Sequence, residues 1–128
     1  MTEDRLRQHP KDRLASPVQL VDLGQAAARL RSESHSPVAG HRQLTLVRHG
    51  PVTLILFVFE ANGFIKEHRA EGEVIVHVLD GGLRVTADYD VHQLGPGALL
   101  AIAPGLAHSV LAEKPTEMLL TIHKSRRD

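Results

Sequence analysis

The distribution of hydrophobic and polar positions changes near residue 40. Before it, polar and charged residues dominate, and one stretch shows helical spacing. In residues 21–32, Asp22 can cap a run that carries Leu23, Ala26, Ala27 and Leu30. That apolar stripe is short, so the helix must lean on the main domain or on a second subunit. Residues 32–40 (SESHSPVAG) read as a connector.

Beyond residue 40 the text becomes short strands separated by turns. Residues 43–48 alternate, with Leu44 and Leu46 apolar between polar neighbours. Residues 52–59 (VTLILFVF) are apolar on both alternating sets, which predicts a strand covered on both faces. Further strands are predicted over 64–70, 73–79, 83–87, 91–94, 98–103, 107–113 and 117–123. Asn62-Gly63, Asp80-Gly81-Gly82, Gly95-Pro96-Gly97 and Pro104-Gly105 supply turn signals between them. About nine or ten short strands, with no helix between them, predict an all-β sandwich or barrel. The expected organisation is an N-terminal arm with a short helix (1–40), a β-barrel (41–124) and a basic tail (125–128).

Composition narrows the function classes. The chain has 128 residues, enough for one domain with one core. Lys+Arg and Asp+Glu both total 15, so there is no basic excess of the kind nucleic-acid binding needs. No apolar run reaches the roughly 18 residues of a membrane span. The polar, mixed-charge start lacks the apolar stretch of a secretory signal, and a cytoplasmic location is expected. There is no cysteine, which excludes disulfides, thiolate nucleophiles and cysteine zinc sites. Nine histidines stand out instead, the residue type that most often ligates metals and shuttles protons near neutral pH. His9, His35, His41 and His49 lie in polar or turn-like text and are expected at the surface. His92, near a turn, is expected to be exposed.

Two segments carry a pattern. The first is Gly63-Phe-Ile-Lys-Glu-His68-Arg-Ala70-Glu-Gly-Glu73-Val74, running on to Val78-Leu-Asp-Gly81. The second is Gly97-Ala-Leu-Leu-Ala-Ile-Ala103-Pro-Gly105-Leu-Ala-His108. In this order and spacing they resemble the two motifs of the cupin superfamily, over roughly residues 42 to 123. The resemblance implies a jelly-roll barrel, the double-stranded β-helix, with a concave site inside. It also implies a divalent metal held by two histidines and a glutamate of the first motif and one histidine of the second.

The match to those ligands is partial. His68 takes the first place and His108 the last. Ala70 stands where the second histidine would be. The glutamate place falls on Val74 when the segments are aligned on their common ending, and on Glu73 one residue earlier. A one-residue slip reverses the face a strand side chain meets. Val74, Val76 and Val78 would make a continuous apolar inner face, which favours Val74. Ala70, Val74 and Val76 are then expected to line the pocket. A third ligand for Zn²⁺, Ni²⁺, Fe²⁺ or Mn²⁺ would have to come from His123 or His77. By alternation His77 faces away from Val74. Ser109 and Glu67 each adjoin a motif histidine and so point to the opposite face, which excludes them as its partners.

Three functions fit this sequence. The first is binding of a small molecule in the barrel, with or without a divalent metal. The second is a metal-dependent cupin enzyme, an oxygenase or isomerase. The third is a structural or partner-binding homodimer, suggested by the doubly apolar strand 52–59 and the dependent helix.

Overall fold

The computed structural model describes residues 14–34 and 36–124. His9, His35 and the tail 125–128 lie outside the described residues. Among the described residues, nine strands follow the helix α1 (Leu23–Arg31): β1 (His41–His49), β2 (Val52–Phe59), β3 (Phe64–Arg69), β4 (Glu73–Asp80), β5 (Leu83–Ala87), β6 (Asp90–Leu94), β7 (Leu99–Ile102), β8 (Ala107–Ala112) and β9 (Thr116–His123). They form two antiparallel sheets, ordered β1-β2-β9-β4-β7 and β3-β8-β5-β6. This is the all-β jelly roll with a short helix before it that the strand spacing and the two motifs predict. No described helix is long and apolar enough to cross a membrane.

The interior is built by alternation. Val74, Val76 and Val78 of β4, Leu83 and Val85 of β5, Val110 of β8 and Met118 of β9 are all buried in one cluster between the sheets. Glu73 is exposed, so β4 takes the register that places Val74 inside. Thr116 is fully buried at the start of β9. Its hydroxyl accepts from the Gly82 N–H at 3.0 Å and donates to the Lys114 carbonyl at 2.7 Å, so the burial leaves no unpaired polar atom.

Strand β2 is dry on both faces for two different reasons. Ile55, Phe57 and Phe59 face the barrel interior. Leu54, Leu56 and Val58 face outward and pack with Ala27 and Leu30 of α1 and Leu46 of β1 in a second cluster. The helix therefore leans on the barrel itself. Asp22 caps α1 by accepting from the Gln25 N–H at 2.9 Å. Arg31 ties the other end to Glu117 of β9 at 2.6 Å.

This arrangement corrects the expectation for His41. Its apolar residues Leu44 and Leu46 face the helix, so its opposite face, with His41 and Gln43, turns toward the barrel interior. His41 is half-buried and not a surface residue. The chain enters β1 by a close backbone crossing. Gly40 has φ +72°, and a Cβ there would lie 2.6 Å from the Cα of Gly63. A Cβ on Gly63 would in turn collide with the Gly40 carbonyl. Only two glycines allow this crossing, and it sets His41 beside Phe64.

Two predictions follow from the packing. Leu30 is 1% exposed between α1 and β2. Leu30→Ala should lower the unfolding free energy in urea by about 2–5 kcal/mol. A loss below about 1 kcal/mol would mean the helix contributes little to the core. The β5–β6 hairpin turns through Asp88 and Tyr89, both with positive φ (51° and 69°), and Tyr89 is 91% exposed. Bulky side chains are disfavoured in that conformation and glycine is favoured. Tyr89→Gly should relieve about 1–2 kcal/mol of left-handed strain at a cost of about 0.5–1 kcal/mol in added unfolded-chain entropy, a net gain of up to about 1 kcal/mol in the same assay.

Candidate functional site

His68 and His108 meet because β3 contains a bulge. Ile65 pairs with Val110 and His68 with His108, so three steps along β3 match two along β8. Strict alternation would put Ile65 and His68 on opposite faces. The extra residue brings both onto the interior face. The two imidazoles stand edge to face with centroids 4.2 Å apart and planes at 62°. Each ring is fixed by the backbone two residues before it. His68 Nδ1 bonds to the Lys66 carbonyl at 2.9 Å, and His108 Nδ1 to the Leu106 carbonyl at 3.0 Å.

These rings border a cavity of about 120 Å³. Its wall is mostly apolar: Phe57, Ile65, Val76, Val110, Met118 and Leu120, with His41 and Gln43 added from β1. His41 lies between Phe57 and Phe59, 5.4 Å from each ring centroid, and its Nδ1 bonds to the Phe64 carbonyl at 3.1 Å.

His68 is exposed at the cavity mouth, whereas His108 is only 4% exposed. Burial lowers the pKa of His108 below its ordinary 6.5. The Leu106 hydrogen bond opposes this, and neighbouring His68 adds to the lowering. His108 therefore stays neutral to lower pH than a free histidine.

The structure brings together only part of the expected site. Of Ala70, Val74 and Val76, only Val76 lines the cavity. Val74 faces the interior one pleat further along, paired with Ile102 and Ile122 and packed in the core. Ala70 lies just past β3, where its carbonyl accepts from the Gly105 N–H at 2.9 Å. His77 and His123 both stand on the outer face of the five-stranded sheet. His77 is paired with Leu99 and Leu119, and His123 is exposed beside Val52 and Glu73. Neither lines the cavity that His68 and His108 border. His92 is half-buried and paired with buried Val85, not exposed. His49 is half-buried at the end of β1, with Nε2 buried and unpaired.

Sequence reasoning missed His41 and Gln43. Their signal was present as the polar half of the alternation in β1. Alternation alone does not tell which of the two faces of β1 the helix covers.

A cupin domain model matches residues 55–122, just over half of the chain. The chain belongs to the cupin family. None of the curated proteins matches this cupin in sequence. Among solved structures, it is similar to a conserved protein of unknown function from Streptococcus pyogenes, at 20% identity over 89% of this chain and 94% of that one, TM-score 0.70. It is also similar to a cupin superfamily protein from Desulfitobacterium hafniense, at 19% identity over 71% and 84%, TM-score 0.65. A third is KdgF from Halomonas sp., at 15% identity over 75% and 91%, TM-score 0.66. At these identities the likeness concerns the fold.

The cupin fold often holds a metal, which sets a requirement on the donor set. A tight transition-metal site needs three or four protein ligands converging on a point. Among the described residues, no group of three or more His, Asp or Glu side chains does so. Ala70 and Val74 supply no donor atoms. The residues present do not fit the four-ligand centre of the family.

The lowered pKa of His108 gives a pH signature. The unfolded chain takes up the proton near pH 6.5, before the folded one does. The stability from neutral His108 is complete above that pH and declines as pH falls below 6.5 towards the lower folded value. Thermal unfolding between about pH 7.5 and 5.5 should show a steeper acid-side loss in the wild type than in His108→Phe. The difference should be at most about 1.4 kcal/mol per pH unit. Parallel curves would show that His108 is not held neutral by the fold.

Proposed function

We propose that this cupin is a binding module for a small molecule, with the ligand seated between His41, His68 and His108. The observation that carries this reading is the cavity: a concave, largely apolar wall with a few fixed polar atoms, the usual form of a ligand site. The barrel walls supply rigidity. The three histidines supply orientation. His68 at the mouth marks the side from which a ligand enters.

A metal-dependent enzyme is the competing reading. It draws on His68 and His108, whose rings lie 4.2 Å apart at the two motif positions. Two imidazoles could hold a cation only if water or the ligand completed its shell. The binding-module reading requires no such cation.

One experiment separates the two. Methyl and ring resonances are recorded by NMR while a library of small fragments is titrated into untagged protein, and metal content is measured in parallel on wild type, His68→Ala and His108→Ala. The expected outcome is fragment-induced shifts at Val76, Val110, Met118 and Leu120, abolished in the cavity-filling variant Val76→Phe, with no stoichiometric transition metal in any sample. A stoichiometric metal in the wild type that both alanine variants lose would instead place on the motif histidines the cation that the competing enzyme requires, and would overturn the metal-free reading.

A further inference from the structure

The polar atoms offered by the cavity's three histidines are all of one kind. The ring Nδ1 of His41, His68 and His108 bonds to a backbone carbonyl, at 3.1, 2.9 and 3.0 Å respectively. A carbonyl oxygen only accepts, so each Nδ1 must carry the ring proton. In the neutral ring the other nitrogen, Nε2, is then a bare lone pair. No described residue hydrogen-bonds to any of these three Nε2 atoms. The fold has thus set all three rings in the same tautomer, with their acceptors left for a ligand.

The described lining contains no Asp, Glu, Lys or Arg. Lys66, Glu67 and Arg69, the charged residues around His68 on β3, are exposed. A carboxylate ligand would meet three lone pairs and no cation. An ammonium ligand would enter an apolar wall with no carboxylate to balance it. Either would give up its hydration without an opposite charge in return. A neutral hydroxyl can donate to Nε2 and leaves no charge unpaired. Gln43, exposed on β1 at the rim, can both donate and accept, so it suits a second polar group near the entrance.

Size narrows the ligand further. An apolar protein cavity of about 150 Å³ accepts a benzene molecule. This cavity, at about 120 Å³ and open on one side, suits a body of roughly one ring.

We propose that the cavity selects a compact, neutral hydroxyl compound, with its hydroxyl proton donated to the Nε2 of one of His41, His68 and His108 and its apolar body against Val76, Val110 and Met118. This rests on the reading of the cavity as a small-molecule site and adds the chemical class of the ligand.

Four probes of similar shape test it at pH 8: phenol, toluene, benzoate and benzylammonium, each titrated against the cavity methyl resonances. Phenol should bind saturably, about three- to tenfold more tightly than toluene, the margin a single net hydrogen bond supplies. Benzoate and benzylammonium should each bind more than about tenfold more weakly than phenol. Equal binding of toluene and phenol would overturn the donor requirement, and tighter binding of either ion would overturn the neutrality requirement. Both results would leave the pocket intact as a binding site. If no probe moves the cavity resonances, the binding-module reading itself fails. A second measurement needs no variant or ligand. Long-range ¹H–¹⁵N spectra of the wild-type histidine rings at pH 8 should show the Nδ1–H tautomer for His41, His68 and His108. An Nε2–H tautomer in any of the three would overturn the proposal. Single His68→Phe and His108→Phe substitutions should lower the phenol-to-toluene preference while toluene binding persists. An unchanged preference in both would also overturn it.

Discussion

The double burial of β2 is the constraint on which the rest of this structure depends. A strand with apolar side chains on both faces must be kept from water twice, and each fully buried aliphatic side chain favours that by about 1.5–3 kcal/mol. One face closes the barrel through Ile55, Phe57 and Phe59. The other recruits α1 through Leu56 and Val58. A nine-residue helix has too little intrinsic stability to stand alone, so its place is set by that outer face. With the helix over β1 and β2, Leu44 and Leu46 are drawn outward. The polar half of β1 is left facing the interior, and His41 comes to rest on the Phe57 and Phe59 rings. The composition of the cavity is thus a consequence of how β2 is covered.

The site itself combines weak local devices that act together. A β-bulge in β3 turns His68 inward. Two hydrogen bonds, each reaching back two residues to a backbone carbonyl, fix the rings of His68 and His108. The Gly40–Gly63 crossing brings in His41. None of these contributes much stability alone. Together they hold three imidazoles in one protonation pattern within a mostly apolar wall. Family membership would suggest a cation at this place. The replacement of ligating positions by Ala70 and Val74, with His77 and His123 on the outer face, leaves the cavity without those donors. Neutral His108 is consistent with that, because burial in an apolar wall disfavours its charged form.

Much of the fold was legible from the order of residues. Strand β2 (Val52–Phe59) and strand β5 (Leu83–Ala87) occupy the predicted positions, and Asp22 caps the helix as its side-chain chemistry suggests. These features depend on local physics: period-two alternation, turn glycines, and a carboxylate at a helix start. The pairing of His68 with His108 was also within reach, because two motifs in order carry it. The inward face of Val74 was correctly ranked above that of Glu73, because three valines in alternation outweigh one ambiguous glutamate. Its contact with the cavity was not readable, since that depends on how far along the strand the core closes.

What the sequence by itself determined was the set of strands, their turns, the helix cap and the two motif histidines, all governed by interactions within a few residues. The tertiary structure alone decided which face of β1 points inward. Alternation says that two faces differ but not which one the helix will cover. It alone decided that His41 lines the cavity and that His77 and His123 do not, because a side chain's place there depends on register across four strands. It also decided the phase of His68, since a bulge inserts one residue where the sequence shows an unbroken strand. In each case a side chain's direction was fixed by partners distant along the chain, whose burial outweighed the local pattern.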